Sequence, residues 1–564
     1  MPEMHPALPM ILGGLLLLLP FLPLSLRRAL LIGAPLLGLT NLLVGLPEQS
    51  GSVFLAGFQL DILRVDKLSM LFGYLFHIAA FLSAVYSLHL TDRLQPATGL
   101  LYAGSAVGAV FAGDLLTLFL FWELLAVTSV FQIWARGSEK AIASGMRYLL
   151  MHVASGLFLL VGSIMHYQQT ASFTFEHLGL DSVPTRLILL GIGIKCAFPL
   201  LHTWLVDAYP ESTPTGTVFL SAFTTKTAVY TLARGYAGAE ELIWIGSVMA
   251  MFPIFYAVIE NDLRRVLGYS MINQIGFMVV GIGLGEGMGV NGAVAHAFND
   301  VIFKGLLFMS MGAVLFRTGR MNGSDLGGLY KSMPWTCSFC IVGASSISAF
   351  PLFSGFVSKS MVMQAAADQN YLYVWLLLLF ASAGVFHHAG IKIPFFAFFG
   401  HDQGLRCQEA PRNMLLAMGI GATLCIGIGC FPQYLYALLP YPVSYEPYTT
   451  THVVLQLQLL FFSALAFAVL KLTHVYPPEL PSINIDADWL YRKALPGLST
   501  VCCAQLTQMF KTINRGIVWS REWMLSVLYA LFGPTGVMGR KWSTGGMALW
   551  AAILLGVYLF LYYL

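Results

Sequence analysis

Long runs of apolar residues, separated by short polar stretches, dominate the chain up to about residue 475. A helix needs about 20 apolar residues to cross the hydrocarbon core of a bilayer. The runs predict an all-α polytopic membrane protein with about sixteen transmembrane helices. The predicted spans are residues 7–25, 29–46, 68–90, 97–112, 114–134, 142–166, 185–208, 214–236, 240–259, 265–285, 289–316, 335–359, 371–399, 413–439, 452–474 and 546–563.

Basic residues are distributed unevenly between the loops. Loops after odd-numbered spans carry Arg27, Arg28, Arg93, Arg136, Lys140, Arg264, Arg265, Arg317, Arg320, Lys331, Arg406 and Arg412, whereas the others carry Arg64, Lys67, Arg186 and Arg234. The positive-inside rule places the richer set in the cytoplasm and both termini outside. No basic residue precedes the first apolar run, which therefore predicts a transmembrane helix and not a cleavable signal peptide.

The region after residue 475 differs from the rest, because a polar, proline-rich stretch separates the last two predicted spans. Within it, residues 498–531 predict an amphipathic helix along the cytoplasmic membrane surface; a simple linker is the alternative. Together these features predict five regions. They are N-terminal transmembrane helices (1–96), a first repeat (97–236), a second repeat (240–400), additional transmembrane helices (401–475), and an amphipathic segment with the last transmembrane helix (476–564).

Composition supports the membrane class and excludes several others. The chain is 57% hydrophobic and only 10% charged, and its net charge of +3 gives no basic face for nucleic acid. Cys337 and Cys340 form a C-x-x-C pair, but no second pair or histidine pair completes a metal site. Neither a P-loop nor a dinucleotide-binding glycine motif is present. We therefore expect no cofactor and no catalytic residues, and energy supplied by an ion gradient or a partner.

Two segments share the sequence Ala-Phe-Pro-Leu inside an apolar run, at residues 197–200 and 349–352. Proline removes a helical hydrogen bond, so each segment predicts a broken helix. The breaks lie in predicted spans seven and twelve. Successive spans cross the membrane in opposite directions, so two spans that are five apart have opposite orientations. Broken helices in paired, inverted repeats are typical of transporters, with ion sites near the membrane midplane. The sequence thus predicts two inverted five-helix repeats, each with a broken helix.

Ionisable residues within these apolar runs are the strongest functional signal. An ionisable group in hydrocarbon costs roughly 2.5–3.5 kcal/mol on insertion scales, so it indicates function by default. A buried glutamate near a lysine can capture and release a proton, although a static ion pair is the alternative. For each lysine the alternative is a side chain that snorkels to the interface. The candidates are Glu123, Lys195, Lys226, Lys304, Lys359 and, nearer the cytoplasmic edge, Lys392.

One predicted helix carries His296, Asp300 and Lys304 at positions i, i+4 and i+8. This spacing places the three side chains on one helix face. Because histidine titrates near neutral pH, the row predicts a proton relay, with a structural polar cluster as the alternative. A metal site is not expected, since no second histidine has suitable spacing.

Other polar residues are secondary candidates. His387 and His388 precede Lys392 by about one turn and could connect it to solvent. If the repeats are related, Lys195 corresponds to Lys359 and Lys226 corresponds to Lys392. His202 could orient the first broken helix or pass protons. Asp207 is predicted near the outer exit, where it could serve only as a helix cap.

Several motifs resemble one known family. They are WELL (122–125), IKCAFPLLHTWLVDAYPESTP (194–214), TKTAVY (225–230), DLRRVLGYSMINQIGFM (262–278), HAFNDVIFKGLLF (296–308) and FPLFSGFVSKSMVM (350–363). The chain resembles the proton-translocating membrane subunits shared by respiratory complex I (NADH-quinone oxidoreductase) and Mrp-type Na⁺/H⁺ antiporters, and is most similar to the D-type Mrp subunit. The resemblance implies proton translocation through Glu123, Lys195, Lys226 and Lys359, with His296 and Lys304 linking the half-channels.

Two positions depart from the family pattern: Asp300 replaces a histidine, and the loop 205–209 lacks the family's second proline and its histidine. The leading hypothesis is a subunit of a Mrp-type antiporter that exchanges protons for Na⁺ or another monovalent cation. Alternatives are a proton-pumping subunit of a complex I-like or hydrogenase complex, and the partner of an inorganic-carbon uptake protein. In each case we expect other membrane subunits as partners, the lipid bilayer as surroundings, and the bacterial cytoplasmic membrane as location.

Overall fold

The computed structural model describes residues 4–45, 51–55, 57–285, 287–480, 484–539 and 543–564. Its regular structure is helical except for one antiparallel hairpin. The first elements are α1 (Leu8–Leu17), α2 (Leu24–Val44), β1 (Gly51–Leu55), β2 (Phe58–Leu63), α3 (Lys67–Tyr86), α4 (Leu94–Phe111), α5 (Leu115–Trp134) and α6 (Glu139–Thr170). The hairpin of β1 and β2 was not predicted from the sequence.

The first predicted span, residues 7–25, differs from the observed helix. Helix α1 has 10 residues, so it is about 15 Å long, half of the hydrocarbon thickness. Pro20 and Pro23 follow it, and proline cannot continue a helix. The end of the second predicted span, residue 46, lies outside the described residues.

The middle of the chain contains the packed core. Its helices are α7 (Val183–Lys195), α8 (Thr203–Ala208), α9 (Gly216–Ala222), α10 (Thr224–Gly235), α11 (Glu240–Ile259), α12 (Leu263–Gly283) and α13 (Met288–Thr318). Every residue of α13 from Gly289 to Val314 is buried. Helices from both predicted repeats contact it, including α9, α10 and α12. Polar side chains on α13 therefore lie at the centre of the molecule.

The remaining helices are α14 (Pro334–Ile347), α15 (Ser354–Asp368), α16 (Leu372–Val385), α17 (Arg412–Cys430), α18 (Gln433–Tyr436), α19 (Thr450–Leu472), α20 (Leu495–Phe532) and α21 (Thr544–Tyr563). Two short 3₁₀ turns, Gly323–Asp325 and Leu329–Lys331, lie between α13 and α14. Helix α16 continues as two π-helical segments, Phe386–Lys392 and Phe395–Phe399. A third π segment, Leu490–Ala494, precedes α20.

Within the described ranges, 11 helical segments are long and apolar enough to cross a membrane. Three further predicted spans are each occupied by two successive helices: α7 with α8, α9 with α10, and α14 with α15. The interruption between α9 and α10 was not predicted. The helical membrane class is thus confirmed, whereas the number of sixteen spans stays a prediction.

The first predicted break is present, and α7 ends in a Schellman motif. The Ala197 N–H donates to Ile194 O at 3.1 Å, and the Phe198 N–H donates to Gly193 O at 2.9 Å. Ala197 has φ 61°, the left-handed conformation that this motif requires and that glycine usually supplies. Pro199 follows and prevents the helix from resuming at once.

The second break repeats this geometry at the end of α14. The Ala349 N–H donates to Ser346 O and the Phe350 N–H donates to Ser345 O, both at 3.0 Å. Ala349 has φ 57°. In both breaks the leucine after the proline is left-handed as well, with φ 69° at Leu200 and 74° at Leu352. The shared tetrapeptide therefore encodes the same backbone break twice.

Contacts between loops separate them into two sets. After odd-numbered predicted spans, Arg136 and Arg264 both donate to Pro210 O, and Asn261 bonds Ser324. After even-numbered spans, Arg64 donates to Phe175 O and Arg234 donates to Asp66. Each of these loops contacts a loop of its own set. This is expected if successive spans cross the membrane in opposite directions, because the two sets then lie on opposite sides. The set rich in basic residues is cytoplasmic by the positive-inside rule.

The chain divides into two compact units, residues 1–484 and 485–564. The first contains the hairpin, α1–α19 and every predicted site residue. The second contains α20, with 38 residues, and α21; neither has a buried residue. The sequence had predicted five regions, and that finer division stays a prediction.

Candidate functional site

The site begins at the first broken helix, where Lys195 is the last residue of α7. Its side chain is fully buried, so it does not snorkel to the interface. The Nζ atom donates to Trp122 O at 2.5 Å and lies 4.5 Å from the centroid of the Trp122 ring. A backbone oxygen and an aromatic face thus stabilise the ammonium group.

Glu123 is the residue next to that carbonyl, on α5. Its carboxylate lies against Gly156 of α6, where any side chain would collide with it. The Oε1 atom is buried and has no hydrogen-bond partner among the described residues. Lys195 acts on Glu123 electrostatically while it bonds to the main chain beside it. The predicted Glu–Lys pair is therefore a separated pair of charges and not a closed ion pair.

A buried histidine that the sequence reasoning missed lies near Lys195. His152, on α6, is fully buried, and its ring centroid lies 4.1 Å from that of Tyr148 and 4.4 Å from that of Trp204. Neither ring nitrogen has a hydrogen-bond partner among the described residues. The sequence feature that could have identified His152 as a candidate is its position inside a long apolar run. The Lys195 charge acts on it, which makes His152 a further candidate.

The two predicted repeats meet in one buried ion pair. Lys226 Nζ lies 2.6 Å from Asp300 Oδ2, and both side chains are fully buried. Lys226 also donates to Ser221 O at 3.3 Å, just before the interruption between α9 and α10. The acid that departs from the family pattern is thus the direct partner of a predicted proton-carrying lysine.

The other two members of the predicted row on α13 are also fully buried. His296 Nδ1 lies 3.0 Å from Ser358 Oγ, and its Nε2 lies 3.0 Å from Gln274 Oε1. Lys304 Nζ donates to Ser270 Oγ at 2.8 Å. Each side chain thus has neutral hydrogen-bond partners, which orient it without adding a further charge to the site.

Lys359 lies just beyond the second break, on α15. Its Nζ donates to Ile347 O at 3.0 Å and lies 5.1 Å from the centroid of the Phe277 ring. Lys195 has the same two kinds of partner, a carbonyl and an aromatic face, so the predicted correspondence of these lysines agrees with their surroundings. The Asp300 charge acts on Lys359 as well.

A cavity of about 240 Å³ adjoins Lys359. Gln364 and His452 line it, and His452 Nε2 lies 3.2 Å from Gln364 Oε1. Gln456, also in the lining, donates to Ser348 O at 3.1 Å. Since α15 and α19 have their outer ends here by the loop assignment, the cavity lies on the outer side of Lys359.

Lys392 has a different environment from Lys226, its predicted counterpart. It donates to Val258 O and Glu260 O, both at 2.7 Å, and to Ala257 O at 3.3 Å. Its Nζ also lies 3.2 Å from Glu479 Oε1. Lys392 therefore binds the carbonyl end of α11, and its fully buried side chain excludes the snorkelling alternative.

His387 and His388 lie on the π-helical segment before Lys392. The His387 ring packs against Phe467 and Tyr476, with centroid distances of 5.4 Å to each. His388 is fully buried. His388 is therefore not open to solvent in the way that the sequence reasoning had supposed, whereas His387 is half-buried.

The prediction for Asp207 is wrong. Arg147 binds both Asp207 carboxylate oxygens, at 2.7 and 3.0 Å, from the start of α6. Arg136 pairs with nearby Glu211 at 3.6 Å. Asp207 thus lies on the side of the basic loops, the cytoplasmic side, because a helix broken at its middle still continues across the membrane. His202 is buried immediately before α8.

Within the described residues, no group of three or more His, Cys, Asp or Glu side chains could hold a metal ion. The predicted residues nevertheless form a buried series in two parts. Glu123 and Lys195 form the first part, and the second consists of Lys226, Asp300, Lys304, His296 and Lys359. Such a buried series of titratable groups, interrupted by neutral hydroxyl and amide groups, is suited to carrying protons.

Comparison with known proteins points to the same class. A family described as NADH:quinone oxidoreductase/Mrp antiporter, transmembrane, matches residues 112–386. The A-type Na⁺/H⁺ antiporter subunit of Alkalihalophilus pseudofirmus is 29% identical over 423 residues, covering 66% of this chain and 52% of that protein. The A-type subunit of Bacillus subtilis is 30% identical over 394 residues, covering 62% and 49%.

Hydrogenase-4 component B of Escherichia coli is 24% identical over 421 residues, covering 66% of this chain and 63% of that protein. The chain thus spans about half to two thirds of the length of these curated relatives. The reported relatives are A-type antiporter subunits and a hydrogenase component, so the resemblance to the D-type subunit stays a prediction.

Two solved structures share the fold. A chain of the Mrp complex from Dietzia sp. superimposes with a TM-score of 0.69 at 21% identity, covering 77% of this chain and 95% of that chain. A chain of an archaeal membrane-bound sulfane sulfur reductase gives a TM-score of 0.71 at 22% identity, covering 98% and 99%. At this identity the likeness concerns the fold alone, and it confirms the helical membrane architecture.

Proposed function

Because this chain is an integral multi-pass membrane protein of the family shared by NADH:quinone oxidoreductase and Mrp antiporters, we propose that it is the proton-translocating subunit of a Mrp-type Na⁺/H⁺ antiporter. It acts with other membrane subunits, exchanges protons for Na⁺ or another monovalent cation, and catalyses no covalent reaction. The names of the A-type relatives support the antiporter over other members of the family.

The observation that carries this proposal is the buried Lys226–Asp300 pair between two broken helices. The attraction between two buried charges often fails to offset the cost of removing them from water, so such pairs are poor stabilising devices. Asp300 also acts electrostatically on Lys304 and Lys359. One carboxylate compensates only one positive charge at a time. When a proton leaves one lysine, the electrostatic stabilisation of the positive charge on the other lysines therefore changes.

Each group has a defined role in the proposed pathway. Glu123 and Lys195 capture and release a proton at the first break. Lys226 and Asp300 transmit the change in charge to the second repeat, where Lys304 and His296 pass the proton towards Lys359. The cavity beside Lys359, lined by Gln364 and His452, then provides the outer exit.

The proposal is tested by proton flux in everted membrane vesicles that contain the chain with its partner subunits. We expect addition of Na⁺ to collapse an imposed pH gradient, and Lys195→Ala to abolish this collapse because the first site loses its titratable group. The fluorescence of a pH-sensitive dye reports the gradient. Lys331→Ala is the matched control, since Lys331 is exposed and pairs with Asp402 on the surface.

Immunoblotting of the assembled complex separates transport from assembly. If Lys195→Ala vesicles contain the complex and still respond fully to Na⁺, the proposed pathway is wrong. If Lys195→Ala prevents assembly, Lys195 has the static structural role that was its alternative.

A second candidate is a proton-pumping subunit of a membrane redox complex. Hydrogenase-4 component B matches 66% of this chain, and the sulfane sulfur reductase chain matches its fold over 98%. This candidate would be favoured if proton flux in the vesicles did not respond to Na⁺ or K⁺ but started on addition of NADH or hydrogen. A response to bicarbonate alone would favour the partner of an inorganic-carbon uptake protein.

A further inference from the structure

Helix α16 changes to a π-helix at Phe386–Lys392, near the end of the second predicted repeat. Single π turns are uncommon and occur frequently at functional sites. Gly390, within this segment, lies against Ser348 beside the second helix break, where a larger residue would collide. The π segment therefore brings α16 directly against the end of α14.

His388 is the buried titratable group of this segment. No part of its side chain is exposed, and neither ring nitrogen makes a well-formed hydrogen bond with a described residue, although the Gly384 carbonyl lies nearby. The charges of Lys304, Lys392 and His387 all act on it. His388 thus lies between the central lysine of α13 and the cytoplasmic end of α16.

Lys392 links this histidine to the cytoplasmic rim. Three carbonyl groups at the end of α11 accept its hydrogen bonds, which fixes the position of the amino group. Glu479, from the segment after α19, lies against the same ammonium group at 3.2 Å. Only 8% of the Glu479 side chain is exposed, and Arg265 and Glu260 lie at the rim beside it.

We propose that Glu479 and His388 form a second, cytoplasm-facing proton entrance that supplies Lys304, with Lys392 as the residue that positions Glu479. The inference rests on the proposed function and adds a branch that the row on α13 does not contain. The carboxylate of Glu479 takes a proton at the rim. Glu479 then releases this proton to the His388 imidazole, which accepts it on one ring nitrogen, releases another from the second nitrogen to uncharged Lys304, and returns to its neutral form.

The alternative is that these residues only seal the cytoplasmic end of α16. Tyr476, close to Glu479 in the chain, packs against His387 and Phe467, so the segment has a packing role as well. A sealing role needs no titratable group at position 388. For sealing, the shape of the side chain at position 388 would suffice, and this difference makes the two roles separable by experiment.

The test uses vesicles with the full chain and its partner subunits, in which Na⁺-driven proton flux is first established for the wild type. We expect His388→Gln to lower the initial rate about tenfold, because Lys304 loses its proton donor. His77→Gln is the matched control, since His77 is an equally buried histidine of α3 outside the lysine series. It should keep the wild-type rate.

Two further measurements identify a proton carrier. Added imidazole should restore flux to His388→Gly, and Glu479→Asp should retain the flux that Glu479→Gln loses. A wild-type rate in His388→Gln, or failure of imidazole to restore flux to an assembled His388→Gly complex, would overturn the branch while leaving the proposed function in place. No flux in wild-type vesicles under any ion or redox substrate would overturn both.

Discussion

At the scale of single residues, Asp300 has the largest influence on the buried charges. Its carboxylate lies 2.6 Å from Lys226 and acts on Lys304, Lys359 and His296. The surrounding lysines are fully buried, so no solvent shields their mutual repulsion. A single acid therefore determines which of them can hold a proton.

Asp300→Asn is expected to abolish Na⁺-driven proton flux and to destabilise the protein. Removal of one partner of a buried ion pair leaves an unpaired charge and costs about 3–5 kcal/mol. The measurements are vesicle flux and the free energy of unfolding in detergent. In the double variant Lys226→Met with Asp300→Asn, most of the stability should return, because the positive charge that pairs directly with Asp300 is removed as well, but flux should stay absent.

Asp402→Asn is the matched surface control for this prediction. Arg406 and Lys331 donate hydrogen bonds to Asp402 and hold its pKa below the usual range. The group lies in a cytoplasmic loop, where water screens the charges. We expect no measurable change in stability or flux. A double variant that transports protons would show that the pair only joins the helices.

At the scale of elements, the two broken helices share one backbone design. Both α7 and α14 end in a Schellman motif with alanine in the left-handed position and proline two residues later. Each break leaves a lysine beside it, Lys195 before the first and Lys359 after the second. Lys359 donates to the Ile347 carbonyl at the end of α14, whereas Lys195 donates to the Trp122 carbonyl of the neighbouring, continuous helix α5.

Glycine at the left-handed position should be tolerated far better than glycine within a helix. Ala197→Gly and Ala103→Gly each lose a buried methyl group, about 0.8 kcal/mol. Glycine in the interior of α4, at position 103, costs a further 0.5–1 kcal/mol or so. At position 197 it relieves about 1–2 kcal/mol of left-handed strain. We expect Ala197→Gly to be about 1.5–3 kcal/mol more stable than Ala103→Gly in detergent unfolding.

Equal destabilisation by the two substitutions would contradict the left-handed assignment. Ala349→Gly provides an independent repeat of the measurement at the second break, where φ is 57°. Agreement between positions 197 and 349 would also support the correspondence of the two repeats.

At the scale of the whole molecule, the two units differ in how much of their surface is buried. Residues 1–484 contain the buried core and the complete charged series. Helix α20 is about 57 Å long and α21 is apolar, yet neither buries a residue. Large exposed apolar surfaces indicate contact with lipid or with partner proteins.

Removal of residues 485–564 should therefore leave the unfolding midpoint of the first unit unchanged but prevent assembly with partner subunits. Detergent unfolding tests the first expectation, and co-purification of the partners tests the second. A truncated chain that still assembles and transports would show that the second unit is dispensable. A truncated chain that unfolds at lower temperature would show that the second unit stabilises the first.

The helical membrane class, the two breaks and the buried charged residues were all readable from the sequence. The cost of placing polar groups in hydrocarbon acts on each segment separately, so apolar runs, prolines and isolated lysines can be interpreted one at a time. The same reasoning overestimated the first span, because a 10-residue helix before Pro20 is too short to cross.

Which charges meet became known only from the packing of the helices. Lys226 and Asp300 are 74 residues apart, and Lys392 binds the end of α11 instead of repeating the role of Lys226. The side of the membrane for Asp207 and the candidacy of His152 likewise depend on neighbouring helices. Pairing depends on contacts between distant segments, and the local cost of burial contains no information about the partner.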